Sequence, residues 1–351
     1  MDQTTLEHIA STSSTTLFQA VLETEAPPQL ATVAIGERDV DARLVRQPEF
    51  STWEPVAVAL EGGGIGTDAG AAIDRHGRFI RESFRDQFEL KRNASAITST
   101  GETTLTPGRI GSLIGEWSHS FYHWLIECLP KLATLRATEL SFDGFLVPAD
   151  LKPFHLATLD DLGIHEGLRV PYFGQPVFAE EMVWAQPLFP PSFPNATAVK
   201  WLVENLRGSR QPSAQPRRVY LSRSGSRRVS NESRHAAVLK SAGFELLNTD
   251  AMSYRDLVEV FSSAKWIVGP HGAAFANCIF SERANLYELY QSDHVNVSIT
   301  SLAAASGHRH FSTVLDPRRS RHALLRPQIA IPVKTFAANL EAFLVASESP
   351  L

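Results

Sequence analysis

Four groups of residues in this chain have the types and spacing that chemistry needs. The first is the run His119-Ser-Phe-Tyr-His123-Trp-Leu-Ile-Glu127. Its two imidazoles and its carboxylate are spaced by four, and each step of four drifts only about 40° around an α-helix. The spacing puts all three on one stripe, with apolar residues on the opposite side. Two imidazoles and a carboxylate on one face form an acid/base assembly, because a carboxylate beside an imidazole orients it and raises its basicity. A solvated helix face with an i,i+4 Glu–His pair is the plain alternative. The His-x3-His spacing would also suit two metal ligands. The His-Glu-x-x-His order is absent and no third ligand motif is clear, so no metal site is expected.

The second group is Arg217-Arg-Val-Tyr-Leu-Ser-Arg223-Ser-Gly-Ser-Arg-Arg228-Val-Ser-Asn-Glu232. Arginines leave the end of an apolar strand and line a Ser/Gly loop before a helix. Open α/β sheets bind ligands beyond the carboxyl ends of their strands, where Arg223 falls. A guanidinium fork binds phosphate oxygens bidentately. An exposed basic loop paired with Glu232 is the alternative, and Arg217 and Arg218 are expected to be structural. The third group is Gly269-Pro-His271-Gly272-Ala273-Ala-Phe-Ala-Asn277. An apolar strand runs into Gly-x-x-Gly and then into small residues that open a helix, a start that offers amides and partial positive charge to a diphosphate. His271 would add a donor at the loop tip; a tight turn with a packed His is the alternative. The fourth is Glu288, a carboxylate in the apolar strand Leu286–Leu289 that needs a partner. A ribose diol and a buried ion pair are equally good candidates. Asp39-Val-Asp41 has the spacing of metal-dependent sugar transferases, but it lies far from the other groups and is set aside.

The elements that must carry these residues follow from periodicity. Up to about Thr106 the chain is rich in Val, Ala, Thr and Gly, with short strands at Ala31–Ile35, Val56–Leu60 and Ala71–Ile73. From Trp117 apolar residues recur at helical spacing as far as Leu135, and Pro130 must kink or restart that helix. Strands at Phe145–Val147, Leu168–Phe173 and Val177–Trp184 alternate with a helix at Phe154–Leu162, as in an open sheet covered by helices. A helix at Thr197–Leu206 precedes the polar, proline-bearing segment Arg207–Pro216, which divides residues 1–210 from 211–351. The second part is a clean strand–helix series: Val219–Leu221, Ser233–Ala242, Phe244–Leu247, Tyr254–Ser262, Trp266–Val268, Leu286–Leu289 and Val295–Ala305. This pattern predicts a parallel, doubly wound sheet. Thr335–Val345 is a last helix, expected to return to the first domain.

Composition sets the outer limits. The chain has 351 residues, 43% of them hydrophobic and 20% charged, which is globular and long enough for two domains. With 33 basic against 38 acidic residues the net charge is −5, which argues against a nucleic-acid partner. Cys128 and Cys278 are far apart in sequence and form neither a disulfide framework nor a zinc site. No apolar stretch reaches membrane-spanning length, and the first twenty residues lack a basic and apolar leader pattern. A cytoplasmic protein is expected, with the inner face of the membrane as a further place of action through partners.

With these groups in hand, the sequence resembles glycosyltransferase family 61. The matching pieces are His119–Leu132 (HSFYHWLIECLPKL), Val219–Glu232 (VYLSRSGSRRVSNE), Gly269–Phe280 (GPHGAAFANCIF) and Leu286–Leu289, in family order across about residues 115 to 315. The first hundred residues match little. The resemblance implies an α/β, GT-B fold, with two Rossmann-like domains facing a cleft. It implies an inverting, metal-independent transfer from a nucleoside-diphosphate sugar, UDP-linked by expectation, to a glycan or other hydroxyl acceptor, with no cofactor. It places Arg223 and Arg228 on the diphosphate, supported by His271 and the helix start at Gly272-Ala273, and Glu288 on the ribose. His119, His123 and Glu127 would face the acceptor, with Glu127 or His123 as the base and His119 orienting the pair or touching the sugar. Two other readings remain: a non-catalytic nucleotide- or carbohydrate-binding module on the same fold, and a metal-dependent hydrolase built on His119, His123 and Glu127.

Overall fold

A computed structural model of the chain describes residues 3–4, 16–19, 29–46, 55–83, 105–189, 192–208, 215–224, 227–318 and 328–348. Its contacts divide it into two compact α/β units, 1–26 with 52–191 and 200–206, and 27–51 with 192–199 and 207–351. The last crossing, at residues 206 and 207, borders the polar segment read from the sequence. Residues 27–51, which the sequence places in the first domain, join the second unit for a clear reason. Val33 and Ala34 pair in parallel with Phe311 and Ser312, Arg38 is ion-paired with Asp316, and Leu44 packs with Tyr290 and Val314.

In the first unit, the long strand Val177–Ala185 runs parallel to Thr106–Ser112 and antiparallel to Val56–Glu61 and Gly64–Ile65. Gly144–Pro148 and Arg169–Tyr172 extend the parallel side. The strand Thr106–Ser112 is missing from the sequence expectations because Pro107 and Gly108 sit at its start, and both residues are poor strand formers. Parallel pairing on both edges holds it nonetheless. Val58, Leu60, Ile110, Leu146, Met182 and Trp184 form the core beneath. The helix expected from Trp117 is two pieces. A π-helical segment covers His123–Cys128 and an α-helix covers Lys131–Ala137, with Pro130 as its N-cap. Proline at 130 cannot donate to the Ile126 carbonyl, and the register before it loosens to five-residue bonds such as Leu129 N to Trp124 O, 3.0 Å.

The second unit is a six-stranded, all-parallel sheet. Its order is Phe244–Asn248, Arg217–Ser222, Ala264–Pro270, Asn285–Gln291, Arg309–Leu315 and Val33–Ala34. Counted along the chain from Arg217, the first five strands lie in the order 2-1-3-4-5. That order reverses direction between the Arg217 strand and the Ala264 strand, which makes their carboxyl ends the topological switch point. Close approach there is secured by Gly269, whose added Cβ would lie 2.9 Å from the Leu221 Cβ. The last helix, Val333–Glu348, does not return to the first domain. Its Phe336, Leu340 and Phe343 recur at i, i+4 and i+7 and pack on Tyr220, Val268, Tyr287 and Phe311 of the second sheet. Trp266 Nε1 donates to Ser347 Oγ at 2.8 Å, and Arg309 Nη2 to the Ala346 carbonyl at 2.8 Å, locking its far end. Among the described residues, no helix is long and apolar enough to cross a membrane.

Candidate active site

In the first unit, the loop after Ser112 and the π-helical segment carry the expected acid/base residues. His123 Nδ1 lies 2.6 Å from Glu127 Oε2. A carboxylate oxygen accepts, so Nδ1 is the donor of this bond. The His123 side chain is 33% exposed and that of Glu127 12%, so the imidazole is the more accessible member. His119 does not join the stripe. It sits in the turn before the helix, exposed, with its ring against Trp117 at 5.7 Å. The straight-helix spacing fails because the helix starts only at Phe121. The turn is held from behind by the helix Pro153–Asp161: His155 Nε2 donates to the Ser118 carbonyl at 3.0 Å and Lys152 Nζ to the His119 carbonyl at 2.8 Å. Burial lowers His155 to about 4, so it stays a neutral strut. Lys131, buried, donates to the Ile114 carbonyl on the same loop.

In the second unit, charged side chains gather at the switch point. Arg223 follows the last residue of its strand, and its Nη1 lies 3.4 Å from the His271 carbonyl. Gly272 starts the 3₁₀ helix Ala273–Phe280. A Cβ on Gly272 would meet Arg223 Nη1 at 1.8 Å, so the guanidinium lies directly on the glycine. Arg227 is the second arginine of the site. Its backbone φ is +62°, a left-handed conformation rare outside glycine. Burial, then the like charge of Arg223, lowers the Arg227 pKa, while Glu288 raises it. Arg223 is likewise lowered by burial and supported by Asp250. His294, just past the Asn285 strand, is surface-exposed, yet burial of part of its ring and then the charges of Arg227, His271 and Arg223 lower it to about 4.

Arg228, expected on the diphosphate, points elsewhere. It is exposed, and its Nε and Nη2 donate at 3.1 Å to Gln328 when that amide turns its oxygen toward them.

Glu288 does not offer itself to a ribose. It is 0% exposed, and both its oxygens are engaged. His271 Nδ1 donates to Oε1 at 2.6 Å, and His310 Nε2 at 3.0 Å and the Tyr290 hydroxyl to Oε2. Burial pushes this carboxyl up, but the charges and hydrogen bonds of His271 and His310 outweigh it and hold Glu288 well below the usual carboxylate range. The ion-pair alternative is therefore what the structure contains. Its consequence for the site is indirect: Glu288 fixes the ring of His271, whose Nε2 lies 3.1 Å from Asn296 Nδ2. Asn296 Oδ1 accepts from Ser298 N at 3.1 Å, which fixes the amide orientation in turn.

His294, Asn296, His310 and Tyr290 were outside the sequence reading, and Arg227 stood in the arginine stretch with no role of its own. Arg227 is one of five arginines between residues 217 and 228, and only the backbone distinguishes it. His310 lies in the strand Arg309–Leu315, whose β-branched and aromatic run after Gly307 was the available signal. Asp41 of the early acidic pair caps a 3₁₀ turn and pairs with Arg43 at 2.6 Å. Among the described residues no three His, Cys, Asp or Glu side chains are grouped to hold a metal. A concavity of about 770 Å³ lined by Gln215, Arg217, Gly243, Glu245 and Ser262 lies at the opposite, amino-terminal edge of the second sheet. Its arginines are committed: Arg217 to Glu245 at 3.1 Å, and Arg218 to the Ala242 carbonyl at 2.8 Å and to the Trp266 ring.

Residues 121–285 match the Glycosyltransferase 61 family model. The match spans the His123–Glu127 pair, Arg223, Arg227 and the His271-Gly272 turn, and ends at the first residue of the Glu288 strand. The chain therefore carries a glycosyltransferase 61 region, in agreement with the resemblance carried by its motifs. No curated protein matches the chain.

Proposed function

We propose that the chain is an inverting glycosyltransferase of the GT-B class that uses a nucleoside-diphosphate sugar, UDP-linked, and needs no metal. One observation supports this most: Arg223, its guanidinium lying on Gly272, and Arg227, both half-buried, gather at the carboxyl-end switch point of a parallel sheet. Two guanidinium groups gathered beside a helix start favour an anion there. The diphosphate is assigned to these arginines and to the helix start at Gly272-Ala273.

In the proposed reaction, the acceptor hydroxyl oxygen forms a bond to the anomeric carbon as the bond from that carbon to the diphosphate oxygen breaks. The departing diphosphate keeps the electron pair. Preorganised guanidiniums and amides stabilise that developing charge. The hydroxyl proton goes to His123 Nε2, and Glu127 steadies the imidazolium through Nδ1–H, the role a carboxylate plays behind a catalytic histidine. His271 and Glu288 form a second, buried imidazole–carboxylate pair whose part is to shape the turn that carries Gly272.

Thermal unfolding with UDP, GDP and CMP, each with and without EDTA, tests the reading. UDP is expected to raise the Tm equally in both conditions. No shift with any nucleotide, or a shift that EDTA abolishes, would contradict it. A binding module without turnover is separated from an enzyme by the Glu127→Gln variant below.

A further inference from the structure

Trp117 is the anomaly of the first unit. It is 50% exposed, and its φ is +59°. A bulky side chain in the left-handed region is an outlier that persists only where the surroundings enforce it. The surroundings do so here. The carbonyls of the next two residues, Ser118 and His119, are tied to His155 at 3.0 Å and Lys152 at 2.8 Å. Ser120 N donates back to the Trp117 carbonyl at 2.7 Å. The indole itself is fixed by its Nε1, which donates to Glu116 Oε1 at 3.0 Å. The strained turn thus holds a rigid aromatic surface out to solvent, with a carboxylate and the exposed His119 imidazole beside it, six residues before the proposed base.

We propose that Trp117, with Glu116 and His119, is the acceptor subsite, and that it binds a pyranose ring of a glycan. This rests on the reading of the chain as a glycosyltransferase. The chemistry is specific to that class of ligand. A pyranose has one face of C–H groups, which packs on an indole, and a rim of hydroxyls, which need both acceptors and donors. Glu116 accepts, and the His119 ring supplies polar nitrogens beside it. A protein partner would want a wider apolar patch than one indole supplies. The subsite also gives His119 the role that its absence from the His123–Glu127 pair leaves open.

The test is binding of the full chain to immobilised xylohexaose, cellohexaose, maltohexaose and chitohexaose, alongside the UDP thermal shift of the same wild-type preparation. At least one oligosaccharide is expected to bind the wild type. Trp117→Ala should weaken that binding at least tenfold, and Trp117→Tyr, which keeps a ring, should restore most of it. Trp117→Gly removes the ring while relieving the left-handed strain, so it supplies a folded ring-less variant if the alanine variant is unstable. Wild-type protein that binds none of the four, or a Trp117→Ala or Trp117→Gly variant that binds as tightly as wild type, overturns the subsite. Either result leaves the proposed function standing if UDP still raises the Tm; failure of UDP is the separate failure of that function.

Discussion

Replacing Gly272 by alanine separates the anion site from the stability of the fold. The new Cβ would stand 1.8 Å from Arg223 Nη1 and 3.1 Å from its Cζ. Gly272 has φ of 172°, which is extended backbone that any residue adopts, so no conformational strain is added. What must move is the tip of a flexible side chain. Stability is therefore expected to stay within about 1 kcal/mol of wild type. Binding is another matter, because the displaced guanidinium loses its place on the diphosphate. A hydrogen bond to a charged group contributes about 1.5–3 kcal/mol, so the UDP Kd should rise about 10- to 150-fold. Calorimetric titration with UDP in EDTA measures this, with Arg223→Ala as reference. The double variant should bind little worse than the weaker single one, since both act through one group. Unchanged UDP affinity in Gly272→Ala, beside a loss in Arg223→Ala, would refute the placement of the guanidinium. A loss of several kcal/mol in urea unfolding would refute the argument that the side chain yields.

Three further outcomes follow from the same geometry. Glu288→Gln leaves His271 and His310 around a buried amide in place of a carboxylate, and should cost about 3–5 kcal/mol in urea unfolding; a neutral result would mean that the network is not ionised. Glu127→Gln should slow sugar transfer by roughly 10²–10⁴-fold while the UDP Kd stays put, and a full-speed variant would remove His123–Glu127 from the chemistry. Stability should fall on acidification, because His155 and His308, buried and each lowered to about 4, protonate only on unfolding at pH values between there and 6.5. The unfolded state binds the extra protons, so unfolding free energy declines as pH drops, by about 1.4 kcal/mol per pH unit for each group. Urea titrations at pH 7, 6 and 5 check the slope, and a flat profile would contradict the burial of both rings.

Much of this architecture was legible because helices and strands announce themselves by period. The parallel series from Arg217 to Ala305, the restart at Pro130 and the carboxyl-end position of Arg223 all follow from local pattern. What was not legible depends on neighbours distant in sequence. Glu288 clearly needed a partner, but His310 comes from the adjacent parallel strand and Tyr290 from two residues on, so pairing decided the outcome. Arg227 and Arg228 are indistinguishable as letters; a left-handed backbone at Arg227 separates them. His119 sits at the right spacing for a helix that starts two residues too late to include it. The last helix has an apolar stripe that fits any open sheet face, and Tyr220, Val268, Tyr287 and Phe311 supply the face it covers.

A crystal structure with UDP bound, grown in EDTA, tests the central claim most directly. The diphosphate is expected within hydrogen-bond distance of Arg223 and Arg227, beside the amides that follow Gly272. UDP seated instead in the concavity by Gln215, Arg217 and Glu245, or ordered only when a divalent ion bridges its phosphates, would contradict the account.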